Sequence, residues 1–324
     1  MARFGKPAQS RYSIADMTTS TTIAHLTDVH LGPIAGFGPR YWNLKRAAGY
    51  YNWMRRRRSA YRQDVLDRIV ADISAQQPDH VVVTGDLANI GLPQEHINAL
   101  AWLEALGPPE RVTVVPGNHD IYSRIGRDLG TRRWAPYMAS NAHGREFAHH
   151  TADFPFVRVL GQVALVGVNS AVPTPPLMAW GRLGRDQLAA VDETLAALGA
   201  AHLFRVVLIH HPPLSGQASR ARGLLDAAAL EDVLVRRGAE LVIHGHNHIN
   251  MLAWGTGPSG QFPVVGAPSA SLGRSHRHEP LGRYNLYRIE PAERRVAIIG
   301  RGLAEPSGPV VELERRALAP KVPA

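Results

Sequence analysis

No cysteine occurs among the 324 residues, so disulfides are excluded and a transition-metal site must draw its ligands from His, Asp, Glu or Asn. Nor does any stretch reach the ~18 consecutive apolar residues that a membrane-spanning helix needs. The first twenty residues, MARFGKPAQSRYSIADMTTS, lack the apolar run of a secretory signal, which makes the cytoplasm the default compartment. Acidic residues are the minority charge, 27 against 36 Lys and Arg, leaving a formal net charge of +9. That basic excess favours encounters with phosphate-rich anions without choosing among nucleotide, lipid and nucleic acid; no specific nucleic-acid signal accompanies it. Apolar side chains are plentiful, 45% of the chain, enough for a sizeable core and against overall disorder.

Short β-branched runs recur at TTIAHLT, DHVVVT, RVTVVP, VALVGV, RVVLIH and ELVIH, each too short for a typical helix and each bounded by polar or Gly/Pro punctuation. They predict buried strands. Between several of them lie helical periods: Val65, Ile69 and Ile73 before Pro78; Ile97, Leu100 and Leu103 before Gly107; Leu188, Val191, Leu195 and Leu198; and Leu230, Val233 and Leu234 with Gly238 as C-cap. Alternating strand and helix predicts an α/β core. The last third, with FPVVGAPSAS, YNLYRIE and RRVAIIG joined by short turns, predicts a second, more antiparallel sheet. Residues 1–20 read as a flexible segment, 21–303 as one domain carrying an insertion at 38–62, and 304–324 as a tail that wraps or frays.

Five of the six runs lead directly into candidate metal ligands: Asp28 and His30, Gly85-Asp86, Gly117-Asn118-His119-Asp120, His210-His211-Pro212-Pro213, and Gly245-His246-Asn247-His248. Ligands of open α/β sheets collect beyond the carboxyl ends of the strands, where loops aim side chains into a shared crevice. Imidazole with carboxylate suits zinc, iron and manganese. Two such ions ~3.5–4 Å apart clamp a phosphoryl group and activate water for in-line attack.

In this order the blocks resemble the calcineurin-like metallophosphoesterases, whose pattern is D-x-H, G-D, G-N-H-[DE], a His followed by one residue and Pro, and G-H-x-H. The resemblance spans Ala24 to Ser271. It implies a four-layer αββα sandwich of two mixed β-sheets and two divalent or trivalent transition-metal ions (Mn, Fe or Zn). Asp28, His30, Asp86 and His248 would hold one ion, with Asp86 bridging to a second on Asn118, His210 and His246. His119 would stabilise phosphoryl oxygens or protonate the leaving group without binding metal. The implied activity is hydrolysis of a phosphate ester by a metal-bridging hydroxide, a diester before a monoester. HHPP, APSAS and the helix beginning near Gly184 look most like the cyclic-nucleotide and glycerophosphodiester phosphodiesterase branch. The absence of Asp-Arg-Gly after Asp86 counts against a protein phosphatase.

Other polar residues carry open alternatives. Asp120 either orients His119 by a hydrogen bond or caps a loop. His211 lies behind the ligands or faces substrate; His244 packs beside the motif; His276 and His278 are solvated or at a pocket rim. The segment Arg40 to Arg62, RYWNLKRAAGYYNWMRRRRSAYR, is unexplained by the family pattern. Trp42, Tyr50, Trp53 and Met54 can share a helical stripe beside Arg55, Arg56, Arg57 and Arg58, the composition of an interfacial helix or of a lid over an anionic amphiphile. The plainer alternative is a surface helix whose aromatic face covers the core or makes a homo-oligomer contact. The expected partner is thus a small anionic phosphate ester, with membrane-surface contact through 40–62. The enzymatic alternative is a lipid-linked phosphoesterase or pyrophosphatase that uses 40–62 as an acyl-facing lid or membrane contact; a metal-binding scaffold of the same fold is the non-enzymatic alternative, and it has no evident need for His119.

Overall fold

The computed structural model describes residues 20–318 apart from 125, 127, 150–152, 276 and 277; the expectations for 1–19, 319–324 and His276 lie outside the described residues. The six β-branched runs supply six strands: β1 (Thr21–Leu26), β2 (His80–Val83), β3 (Val112–Val114), then, after β4 (Phe156–Leu160), β5 (Val163–Gly167), β6 (Phe204–Leu208) and β7 (Leu241–His244). The last third adds β8 (Met251–Gly257), β9 (Gly260–Gly266), β10 (Arg283–Glu290), β11 (Arg295–Leu303) and β12 (Val310–Leu318). They form two six-stranded mixed sheets, ordered β12-β11-β10-β1-β2-β3 and β4-β5-β6-β7-β9-β8.

Helices follow the apolar periods: α1 (Leu44–Asn52), α2 (Arg58–Ala60), α3 (Gln63–Gln76), α4 (Pro93–Leu106), α5 (Arg185–Ala200) and α6 (Ala227–Arg237). Side-chain alternation along the strands fixes the layers. In β6, Phe204, Val206 and Leu208 join a core with Ile23, Leu26 and Val83 of the other sheet, while Val207 packs with Val191 and Leu195 of α5 and Leu230 and Leu234 of α6. α3 and α4 contribute Leu66, Ile69, Ala99 and Leu103 to the first of these cores. The sheets face each other across one apolar core, and the helices cover their outer faces. Among the described residues no helix is long and apolar enough to cross a membrane.

One expectation is corrected. The last third makes no sheet of its own. β9 pairs parallel with β7, while β10 pairs antiparallel with β1, on the side of β1 that β2 leaves free. The segment after Ala304 contains an ordered edge strand, since β12 pairs antiparallel with β11 from Val310 to Leu318. Backbone pairing satisfies the strand's peptide groups whatever its side chains, so the charged run VVELERRAL is strand even with most of its side chains exposed.

Candidate metal centre

Every candidate ligand lies within a few residues of the end of a strand. From the first sheet, β1 leads into Asp28 and His30, β2 into Asp86 and β3 into Asn118; from the second, β6 leads into His210 and β7 into His246 and His248. All seven are buried. Asp28, His30, Asp86, His246 and His248 have φ between 46° and 70°, a conformation costly for residues with a Cβ and one that clusters at functional sites. Glycines let these strained loops close on each other. A Cβ on Gly117 would collide with the Asp86 carboxylate, and one on Gly245 with Thr27 and Asp28.

The side chains converge as two sets. Asp28 Oδ2 accepts from Thr27 Oγ1 (2.9 Å) and the His246 backbone N–H (3.0 Å), leaving Oδ1 facing His248 Nε2 at 2.9 Å. His30 donates Nδ1–H to the Ala88 carbonyl (3.1 Å), and its buried Nε2 has no protein partner. That nitrogen lies 3.9 Å from Asp86 Oδ2. On the other side His210 Nε2 is 3.5 Å from the same Asp86 oxygen and 3.1 Å from Asn118 Oδ1. His246 Nδ1 is 2.8 Å from Asn118 Oδ1 and 3.3 Å from His210 Nε2. The Thr84 carbonyl accepts His210 Nδ1–H at 2.6 Å, fixing the tautomer that leaves Nε2 as a lone-pair donor, as carbonyl-backed ligand histidines do.

These contacts fit cations. Imidazole nitrogens and carboxylate or amide oxygens crowd within 2.8–3.9 Å of one another, an arrangement that a positive charge between them stabilises, and the partnerless buried Nε2 of His30 points into the same cluster as a candidate ligand. Electrostatics agrees. Burial would pull the His210 imidazole down, yet the Asp86 carboxylate lifts it to about 9, so a proton serves as the positive charge. Asp28 and Asp86 stay below the usual carboxylate range because the facing imidazoles outweigh burial. Asp28, His30 and His248, and separately Asp28, Asp86 and His210, each place ligand atoms within 4.8 Å of one another.

A family model for calcineurin-like phosphoesterases matches residues 21–250, the span that carries all of these ligands. The chain belongs to the calcineurin-like phosphoesterase family. It is a metal-dependent phosphoric ester hydrolase. It is 26% identical over 226 residues to a protein named probable cyclic nucleotide phosphodiesterase from Synechococcus sp., covering 69% of this chain and 76% of that one. To a glycerophosphodiester phosphodiesterase of Enterobacter lignolyticus it is 32% identical over 181 residues, 53% of this chain and 57% of the relative. A dimetal phosphatase from Danio rerio superposes with a TM-score of 0.58 over 93% of this chain and 99% of that chain, at 16% identity. For the purple acid phosphatase PPD1 of yellow lupin seeds the score is 0.54, at 12% identity, over 89% and 52%. These two share the fold.

Around the phosphoesterase centre the remaining residues sort themselves. His119 sits beside the ligands, its backbone N–H on Asp86 Oδ1 at 2.7 Å and its Nδ1–H on the Asn89 carbonyl. Burial, then the Arg57 guanidinium, pull its imidazole down to about 3. Asp120 makes its bonds elsewhere. It accepts backbone N–H groups of Asp86, Ala88 and Gly117, each at 2.8 Å, so it is a staple between two ligand loops, and the Asn89 carbonyl orients His119 instead. Burial and the Asp86 charge push Asp120 up to about 7 against the pull of those donors. His211 does not face substrate. It is buried, with Nδ1 2.7 Å from Ser170 Oγ and Nε2 3.1 Å from the Ala179 carbonyl. His244 is buried as expected, and His278 is exposed.

Above the centre opens a cleft of about 640 Å³ whose walls include Arg56, Arg57, Tyr61, His119, Arg222 and Arg274. The insertion therefore reaches the site, but not with all four arginines. Arg55 Nη1 donates to Tyr51 Oη at 2.5 Å, and Arg58 lies over the Trp53 ring; neither lines this cleft. The expected aromatic stripe also fails. Trp42 lies in extended backbone before α1 and is exposed, and in the π-helical turn over Trp53–Arg57 the Trp53 ring is buried while Met54 is exposed. α1 is anchored by Arg46, which donates to the Ile90 and Gly91 carbonyls at 3.3 and 3.1 Å, and by Gly49, where a Cβ would strike the Tyr122 hydroxyl. Sequence reasoning missed Tyr61 and Glu279, whose Oη and Oε2 lie 3.2 and 3.3 Å from His248 Nδ1, and missed Arg222. Tyr61 lies in the insertion the sequence singles out, but no local motif marks it, Arg222 or Glu279 as neighbours of the ligands.

Proposed function

We propose that this phosphoesterase is a phosphodiesterase working through two transition-metal ions, with manganese, iron or zinc matching the His, Asp and Asn donors. The carrying observation is the single Asp86 Oδ2 that faces both His30 and His210, the position of a bridging ligand. Asp28, His30, Asp86 and His248 would hold one ion, and Asp86, Asn118, His210 and His246 the other. When bound, the pair supplies charge that neutralises phosphoryl oxygens and lowers the pKa of a water. The protein's part is to hold Asp86 through the His119 backbone N–H, to keep His119 against the phosphoryl group, and to exclude bulk water by burying the ligands. Both curated relatives described above bear the names of phosphodiesterases, which supports a diester.

Turnover of bis(p-nitrophenyl) phosphate with added manganese, abolished by chelator, tests this reading; a manganese-loaded protein that turns over no phosphate ester would leave it a scaffold. His119→Ala is the second arm. It should keep its metals while kcat falls ~10²–10⁴-fold. A larger loss on alkyl than on aryl esters marks proton donation, and equal losses mark electrostatic stabilisation.

A second reading, contact with an anionic lipid surface, is favoured by exposed Trp42, Leu44, Tyr51 and Met54 (64, 76, 59 and 53% exposed) next to Arg55 and Arg56. Aromatic and apolar side chains beside arginines suit the headgroup level, each cation contributing roughly 1 kcal/mol near a negative leaflet. Co-sedimentation with phosphatidylserine vesicles, absent with phosphatidylcholine alone and weakened several-fold in a Trp42→Ser, Met54→Ser variant, is the expected result. No binding even at low salt would remove the lipid reading.

A further inference from the structure

Fixing the plane of the His119 imidazole takes more than its Nδ1–H bond to the Asn89 carbonyl, about which the ring can still tilt. His30 meets the ring edge-on at 4.9 Å between centroids, and Arg57 Nη1 lies 3.0 Å from its Nε2. The flat wall is Tyr122, whose ring lies nearly parallel to the imidazole, 21° between planes and 5.3 Å between centroids, a stack that resists tilting. Tyr122 is set in turn by the insertion. Gly49 of α1 leaves room for its hydroxyl, which donates to the Lys45 carbonyl at 3.4 Å. The Lys45 side chain covers the same ring. Its Nζ is 4.3 Å from the Tyr122 centroid and donates to Thr174 Oγ1, which itself donates to the Met178 carbonyl at 2.6 Å.

Lys45 is buried, and lysine is almost never fully buried unless it is paired. This one forms no ion pair among the described residues, and burial pulls its ammonium down to about 8 against the charge of Asp86. An aromatic face attracts a desolvated cation more strongly than an exposed one, so the Tyr122 ring is the partner that accounts for the burial. We propose that α1 is a positioning element for His119: Lys45 clamps the Tyr122 ring, and Tyr122 sets the plane of the imidazole against the phosphoryl group. The inference rests on the phosphoesterase reading above, and it gives the insertion a part in the reaction that needs no contact between Lys45 and substrate.

Kinetics and nuclear magnetic resonance on the metal-loaded full-length protein test this. With bis(p-nitrophenyl) phosphate, Tyr122→Leu should lower kcat by ~10–100-fold, the cost of misplacing a catalytic group by about 1 Å, with KM and metal content unchanged. Tyr122→Phe, which keeps the ring, should keep most of the turnover. Lys45→Met, of similar length but uncharged, should lower kcat several-fold. The double variant should fall no further than Tyr122→Leu alone, because one effect runs through the other. In a His119→Ala background both substitutions should be silent. Equal fold-losses with and without His119 would mark general damage to the fold and overturn the proposal, as would full turnover in Tyr122→Leu. The second readout needs no activity. In the zinc-loaded protein with isotope-labelled histidine, the Cε1–H resonance missing from His119→Ala belongs to His119. It should move in Tyr122→Leu, which removes the ring current, and part of the way in Lys45→Met; a resonance unmoved in both overturns the proposal even if turnover falls. A wild type that hydrolyses no phosphate ester would sink the chemistry beneath, and the resonance would still decide whether Lys45 and Tyr122 fix the ring.

Discussion

Replacing Asp86 with asparagine is expected to remove at least one metal equivalent per chain and to lower diester turnover by on the order of 10³-fold or more. The reason is stereochemical. Asp86 Oδ1 is committed to the His119 backbone N–H at 2.7 Å, while Oδ2 faces His30 Nε2 and His210 Nε2 at 3.9 and 3.5 Å. An asparagine must keep its carbonyl on the His119 N–H, which turns its NH₂ toward the metal ligands, where donors have no use and no lone pair remains. The outer shape is nearly conserved, so far-ultraviolet circular dichroism of the metal-free variant should match the parent. Elemental analysis decides the matter: two metals per chain with near-normal turnover would mean that Asp86 is not the bridge.

The largest effect on stability is expected far from the centre, at Glu240. Arg205, inside β6, and Glu240, just before β7, are both buried, with Arg205 Nη2 on Glu240 Oε1 at 2.8 Å and Nε on Oε2 at 3.0 Å. Glu240 Oε2 also accepts the Arg205 backbone N–H at 2.6 Å, and Arg294 reaches Oε1 from the surface. Glu240→Ala strands a guanidinium in the interior with only the Leu195 and Arg237 carbonyls to receive it. Breaking such a pair from one side costs about 3–5 kcal/mol, to be measured as the shift of the urea midpoint at constant slope. The double variant with Arg205→Met should lose less than the two single losses summed, because the second change removes the stranded charge. A single-variant cost below ~1 kcal/mol would show that water enters and solvates Arg205.

Legibility in the sequence tracked locality. The ligands were readable because each sits within a few residues of a strand end, and a strand of Val and Ile followed by Gly and a polar residue is a local signal. The missed strands lacked one. β4 carries Arg158 mid-strand, β8 is interrupted by Gly255, and β12 has four charged residues in nine, so antiparallel pairing with β5, β9 and β11 decided them and their own side-chain pattern did not. The antiparallel strands of the last third were readable as strands, but their division between two sheets depends on which edges β1 and β7 leave open. Likewise the π-helical turn at Trp53–Arg57 cannot be seen in a 3.6-residue period, and it decides that Arg57 meets His119 while Arg58 turns to Trp53. Tyr61, Arg222 and Glu279 are separated from the ligand motifs by loops whose path no periodicity records.

The division of the ligands between the two sheets has a further consequence. Asp28, His30, Asp86 and Asn118 hang from one sheet and His210, His246 and His248 from the other, while Phe204, Val206 and Leu208 belong to the core packed between them. Metal affinity is therefore a gauge of how the two halves dock. A cavity opened in that shared core would let one set of ligands shift against the other, and because binding energy is folding energy when it depends on a preassembled site, metal bound at this centre would add to the forces that hold the halves in register.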